Sequence, residues 1–453
     1  MAEEVNKKDI DTKAEVKPDL DDLSNQTVQF RIICGSYEHN IMCISLLLRK
    51  NVPLFQPIFH LEAHSLSIKA LDAAKRYLVS GGNDEHIKIY DLQKRKDLGT
   101  LLSHQGSVTC LKFFSKQGKW LLSGSEDSKI IIWRTRDWES FGVLKGHTAR
   151  INDLAVHPSG KIAISCADDK TIKLWNLMTV KKAANLKLKY FLQNGQFVRW
   201  SLNGNHFIVS LLDTVLIYDT NAAKIINQLK FKRITIMRIE NYEIDTIEYL
   251  VIGLSNGEIQ FYKLSDLVKK QKIENNEDEN ENNREDENES DEYDTKSKRN
   301  AQKDEIISMI PLDLEPSYKF IGHTIRIKDL KFYQDFLTKR KFLVSISSDG
   351  KIVVWDLSIK EEIAVYKTDE RLNCLTVIPE TIEKIDTMKK RKLSISQEDL
   401  YNYKTDNETD GEEIRNILLN NNENKKNDKR NKKPKYKKHK KIIALVKIII
   451  ILK

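Results

Sequence analysis

Residues 146–156 read GHTARINDLAV and residues 322–332 read GHTIRIKDLKF, sharing Gly, His, Thr, Arg, Ile, Asp and Leu at matching positions. A chain that repeats a phrase of this length is built from a repeated structural unit, and that unit decides the fold. After each phrase comes an apolar run, a turn holding Asp, and a β-rich segment that closes on Trp: SCADDKTIKLWNL at 165–177 and SISSDGKIVVWDL at 345–357. SGGNDEHIKIYDL at 80–92 and LLSGSEDSKIIIWRTRDW at 121–138 have the same layout. In all four copies the Asp lies six residues before the aromatic, joining Asp84 to Tyr90, Asp127 to Trp133, Asp169 to Trp175 and Asp349 to Trp355. The upstream histidines His64, His104, His147 and His323 stand 26, 29, 28 and 32 residues before those aromatics.

This wording resembles the WD repeat, in which four antiparallel strands make one propeller blade, with GH near its start and WD at the end of the third strand. Two weaker copies follow the same layout. FVRWSLNGNHFIVSLLDTVLIYDT at 197–220 keeps the Tyr-Asp end, and YLVIGLSNGEIQFYKL at 249–264 places Asn256 where the turn Asp belongs. The seventh blade is expected to be composite. QFRIICGSYEHNIMCISLLL at 29–48 alternates like the second and third strands of a blade with no first strand before it, while RLNCLTVIP at 371–379 is a lone apolar strand after the last repeat. Pairing the two closes the ring and removes its free edges. Residues 27–380, less an insert at 265–316, allot about 43 residues to each blade, against the usual 40–45 or so for this repeat. The fold class expected is therefore all-β, a seven-bladed WD-repeat propeller.

Serine, histidine and aspartate recurring together invite a catalytic reading. A hydrolase needs one exposed hydroxyl, a base and an oxyanion hole, whereas this set recurs blade after blade. The WD resemblance implies instead a structural tetrad of His, the Ser two before the turn Asp, that Asp, and Trp. Two complete sets follow: His104, Ser125, Asp127 and Trp133, and His323, Ser347, Asp349 and Trp355. A third keeps His147, Asp169 and Trp175 but has Ala167 at the serine position, and a fourth holds His64, Asp84 and Tyr90. No phosphate loop, dinucleotide fingerprint, zinc-protease or kinase signature appears, so no catalytic, cofactor-binding or metal-binding residue is assigned and no enzyme is expected.

Composition points the same way. The chain has 453 residues, 40% of them hydrophobic, which is enough for a substantial core. Its five cysteines are scattered and lie in no ligand spacing, as expected of buried thiols in a reducing compartment. The start is charged, without the apolar run of a secretory signal. The net charge of +9 hides strong segregation: residues 271–295 carry twelve acids against two bases, and residues 421–441 carry eleven bases against two acids. Both blocks are too polar to fold alone. Residues 1–26, the insert and residues 381–453 are therefore expected to be disordered, with the insert looping from the rim between the sixth and seventh repeats. The apolar end IIALVKIIIILK at 442–453 is too short to span a bilayer, which takes about 20 apolar residues.

The stretches GGNDEHIKIYDLQKRKDLGTLLSHQGSVTCLKF at 81–113, GKWLLSGSEDSKIIIWRTRDWE at 118–139 and VHPSGKIAISCADDKTIKLWNL at 156–177 resemble the p21-activated kinase-interacting protein family. That family includes the fungal maintenance-of-killer nucleolar factor required for large-subunit assembly. The likeness extends over most of residues 29–379, and the acidic insert and long tail depart from it. It implies a scaffold in the nucleus and nucleolus that assists 60S subunit assembly and pre-rRNA maturation. Its partners would be pre-60S ribosomal proteins and assembly factors, with the protein acting as a monomer within a complex and binding neither DNA nor cofactor. The alternative it implies is a signalling adaptor that binds and restrains a p21-activated-type kinase.

The basic runs Lys389, Lys390, Arg391, Lys392 and Lys429, Arg430, Lys432, Lys433 fit nuclear and nucleolar import and sequence-independent contact with rRNA. Arg150 and Arg326, at matching positions after the GHT turns, are candidates for contact with rRNA or an acidic partner.

Overall fold

The computed structural model describes residues 27–49, 52–115, 118–188, 191, 193–269 and 314–382. The N-terminal stretch 1–26, most of the acidic insert and the tail with its Lys389–Lys392 and Lys429–Lys433 runs lie outside the described residues.

Alternating apolar residues fold into four-stranded antiparallel sheets, seven in all among the described residues. Blade 1 is composite, with Leu372–Pro379 pairing Val28–Ser36, followed outward by Asn40–Arg49 and Val52–Glu62. Blades 2, 3, 4 and 5 span residues 68–101, 108–145, 151–187 and 197–230; blade 6 joins 236–263 to 318–321, and blade 7 spans 327–367. The expected closure is present. Ile32 lies opposite Val377 and Cys34 opposite Leu375 in one antiparallel ladder.

Sheets stacked face to face must bury both faces, and the core divides accordingly, with one cluster at each seam. Blades 3 and 4, for instance, meet through Leu122, Ile130 and Ile132 on one side and Ile151, Leu154 and Trp175 on the other. Blade 1 touches blade 7 through Phe30, Ile32 and Leu46 against Phe342 and Val344. It touches blade 2 through Ile33, Ile41 and Cys374 against Ile68 and Leu78. All five cysteines are buried.

The turn between second and third strands is built alike in the four full repeats. A residue in the left-handed region follows the turn Asp: Glu85 at φ 67°, Ser128 at 63°, Lys170 at 56° and Gly350 at 76°. In blade 6 Gly257 takes that role at φ 88°, and a Cβ there would lie 2.4 Å from the His323 carbonyl oxygen, so only glycine fits. Asn256 keeps the turn function of the missing Asp, its side-chain oxygen accepting the Glu258 amide at 3.1 Å.

Two boundaries differ from expectation. The insert splits blade 6 between its third and fourth strands, and its first residues belong to the propeller rather than to a projecting loop. Leu264–Val268 forms one helical turn, α1, whose Leu264 and Leu267 pack beside Phe231 and Tyr262. Asn227 anchors it by donating to the carbonyls of Leu267 and Lys269 at 2.6 and 2.8 Å. At the other end a short 3-10 turn, Glu380–Ile382, continues past the expected boundary at 380.

Candidate functional site

Antiparallel order places on one face of the disc every turn between second and third strands and every connection from a fourth strand to the next first strand. The His and Asp of each full repeat meet on this loop face. In blade 3, His104 Nδ1 lies 3.1 Å from Asp127 and Nε2 lies 2.8 Å from Ser123 Oγ, which also accepts the indole N–H of Trp133 at 2.8 Å. Blade 4 repeats the network with His147, Asp169, Ser165 and Trp175 at 2.9, 2.7 and 2.8 Å. Blade 2 repeats it with His64 at 2.9 Å from Asp84 and 2.7 Å from Ser80, with Tyr90 in place of Trp. In blade 7, Ser345 joins His323 and Trp355 at 2.8 and 2.9 Å, but His323 Nδ1 stays 4.0 Å from Asp349.

The serine assignment is thereby corrected. Ser125 and Ser347 are not the hubs, and Ala167 leaves no gap. Ser125 sits at the strand end, where its hydroxyl donates to the Gly106 carbonyl at 2.7 Å and accepts the Asp127 amide at 3.2 Å. Ser347 likewise donates to the Arg326 carbonyl at 3.0 Å. The hub is one strand repeat further back, because Trp133 pairs with Leu121 and its indole reaches diagonally to Ser123. A signal for this was available: Ser80, Ser123, Ser165 and Ser345 each stand four residues before the turn Asp in all four copies. The residue two before it is Gly82, Ser125, Ala167 or Ser347.

In blades 3 and 4 every proton of the network can be placed. A carboxylate only accepts, so Nδ1 carries the imidazole hydrogen; the hydroxyl donates to Nε2 and accepts from the indole. Burial holds His64, His104 and His147 below the ordinary histidine value and pushes His323 down to about 4, which keeps the rings neutral. The order Ser, His, Asp is that of a hydrolase, yet Ser80, Ser123, Ser165 and Ser345 have no exposed surface. In three of the networks an indole also occupies the serine oxygen, so no substrate carbonyl can approach it. The networks join loops to strands.

Blades 1, 5 and 6 have Cys34, Val209 and Ile252 where the hub serine stands elsewhere. Beside the turn of blade 5 a cavity of about 250 Å³ opens, lined by Phe191, Gln193, Asp213 and Lys230 among others. The first strands of blades 5 and 6 are tied instead by ions around the axis. Arg199 of blade 5 donates to Glu240 of blade 6 at 2.8 and 2.9 Å and to Asp153 of blade 4 at 2.5 Å. Lys331 of blade 7 reaches Glu240 at 3.4 Å. Lys112 of blade 3 lies across the ring, its ammonium held below the ordinary lysine value first by Lys331 and then by burial.

The two arginines singled out above are both exposed on the loop face but are not brought together. Arg150 pairs with Glu126 of the neighbouring blade at 3.1 Å. Arg326 donates to Ser348 at 3.2 Å and stands beside Tyr37 of blade 1. Among the described residues no group of His, Cys, Asp or Glu could hold a metal ion, and no helix is long and apolar enough to cross a membrane.

Comparison with known proteins places this geometry. The family model "WD domain, G-beta repeat" matches residues 55–91, 95–134, 138–176 and 314–356, the four segments that carry the serine hubs. Protein MAK11 of Saccharomyces cerevisiae is 48% identical over 416 residues, covering 86% of this chain and 92% of that protein. The p21-activated protein kinase-interacting protein 1-like of Gallus gallus is 29% identical over 354 residues, covering 76% of this chain and 79% of that protein. Shk1 kinase-binding protein 15 of Schizosaccharomyces pombe is 24% identical over 265 residues, covering 51% and 76% respectively.

Proposed function

We propose that this chain, which belongs to the WD-repeat family of Protein MAK11 and the p21-activated protein kinase-interacting proteins, is a non-enzymatic scaffold in assembly of the large ribosomal subunit. The observation that carries the reading is 48% identity with Protein MAK11 over 92% of that protein, together with the nucleolar assembly role that the family resemblance implies. The fold supports it. A ring whose Ser, His and Asp are consumed by structure leaves its loops and rims for binding, and propellers present these as platforms for proteins.

In this reading the protein works in the nucleolus as one member of a complex with pre-60S ribosomal proteins and assembly factors, and supports pre-rRNA maturation. The lysine-rich residues 425–441 add sequence-independent contact with rRNA. Depletion of the protein, followed by analysis of rRNA precursors and subunit profiles, tests the role. Large-subunit precursors should accumulate and free large subunits should fall; unchanged precursors and subunits would refute it.

A second reading rests on the names of relatives, a p21-activated protein kinase-interacting protein 1-like and a Shk1 kinase-binding protein. It makes this chain an adaptor that restrains such a kinase. Affinity purification that recovers a kinase and no pre-ribosomal protein would favour it over the first.

A further inference from the structure

A cluster of charged side chains lies on the loop face where the ring closes. Tyr37, in the turn between second and third strands of blade 1, has Lys328 of blade 7, Arg371 of blade 1 and Lys69 of blade 2 at 5.0, 5.5 and 5.8 Å from its ring centre. The Lys328 ammonium also donates to its hydroxyl at 2.9 Å. Burial pushes that hydroxyl up, but Lys328 outweighs burial with help from Lys69 and Arg326, leaving it below the ordinary tyrosine value. Four cations from three consecutive blades thus surround one half-buried ring. Glu38 answers them, 3.4 Å from Arg371. The connections next to these cations also carry exposed apolar side chains: Ile325, 42% exposed, just before blade 7, and Leu66, 50% exposed, just before blade 2.

We infer that this cluster is a docking site for an acidic segment of a protein partner, one whose run of Asp and Glu is flanked by apolar residues. Charge complementarity requires an anion, and the apolar side chains choose between anions. A nucleic acid strand needs open aromatic faces for its bases and cations spaced along its backbone. Here the ring already carries three cations within 6 Å, and the charge is concentrated at one point, beside connections that carry two branched apolar side chains. A peptide places carboxylates on the cations and apolar side chains on Ile325 and Leu66, with the polar contacts giving orientation and on-rate. The inference goes beyond the assembly role proposed above and stands equally if the partner is a kinase.

The test uses the full chain and a labelled peptide with a central Asp/Glu run, Leu on each side and a benzoylphenylalanine crosslinker. Crosslinks should fall at residues 36–39, 325–328 and 369–371, and binding should weaken as salt rises. Lys69→Glu/Lys328→Glu should lower affinity about tenfold or more with an unchanged urea midpoint. Since Lys328 also supports Tyr37, Arg326→Glu/Arg371→Glu at two exposed positions provides a second variant with the same expected loss. Crosslinks confined to the basic tail, unchanged affinity in both variants, or single-stranded RNA of equal charge binding tighter than the peptide at these same residues would each overturn the inference.

Discussion

Within one blade, Ser123 and Ser125 have the same chemistry on the same side of the same strand, and the structure gives them unequal tasks. Ser123→Ala leaves the His104 ring nitrogen and the Trp133 indole N–H without their shared partner. Leaving buried polar groups unsatisfied costs about 1–3 kcal/mol each. Ser125→Ala removes a hydroxyl that bonds only backbone at the turn, a loss of about 1 kcal/mol. Urea midpoints of the two variants should therefore differ clearly, with Ser123→Ala the weaker protein; equal midpoints would contradict the hub. The histidines add a pH dependence. His323 is held at about 4 against an ordinary 6.5, by burial first, so its neutral form belongs to the fold. A depressed histidine contributes stability that is fully present above about pH 6.5 and is lost as pH falls towards 4, amounting to about 3 kcal/mol. The fall in urea midpoint between these pH values should be shallower in His323→Gln than in the unsubstituted chain.

At the level of strands and turns, the ring holds because its last strand returns to its first. Arg31 and Glu380 reinforce that closure from positions 349 residues apart, the guanidinium donating to the carboxylate at 2.9 and 2.8 Å. Ser45 donates to the same carboxylate at 3.0 Å. Breaking a buried pair by removing one partner costs about 3–5 kcal/mol. Glu380→Ala is thus expected to lower the urea midpoint far more than an exposed exchange such as Glu139→Ala, and similar midpoints would show that the strand ladder alone closes the ring. The closing strand was readable because an apolar run without neighbours must find a sheet edge. Glu380 was not, since a single acid after Pro379 looks like the start of the charged tail until the fold sets it against Arg31. The hub serine is hard to read from sequence for a related reason. Alternation puts Ser123 and Ser125 on one side of the strand, and only the register against Trp133 separates them.

Across the whole molecule, the four blades with serine hubs are 2, 3, 4 and 7, so the stretch through blades 5 and 6 must be held otherwise. Ions at the axis supply that hold: Asp153, Arg199, Glu240 and Lys331 come from four successive blades and join their first strands. Comparing the sequence with itself shows Asp153 recurring as Asp329 and Lys331 as Lys112, but not what they pair with, because Arg199 and Glu240 stand in copies that differ from the rest. Glu240 is the member on which the others depend. Burial pushes its carboxyl up, yet Arg199, Lys331 and Lys112 together hold it well below the ordinary value. Glu240→Gln keeps the shape but leaves three cations facing one another across the axis with one carboxylate fewer, and the expected loss is about 3–5 kcal/mol. A cavity or a misfolded blade would give a similar loss, so the decisive measurement is the double variant. If charge imbalance is the cause, adding Lys331→Met removes one of the repelling cations and should recover part of the midpoint lost in Glu240→Gln. Two independent losses that simply add would instead mean that the axial ions act as separate pairs, and that the seams of blades 5 and 6 hold without them.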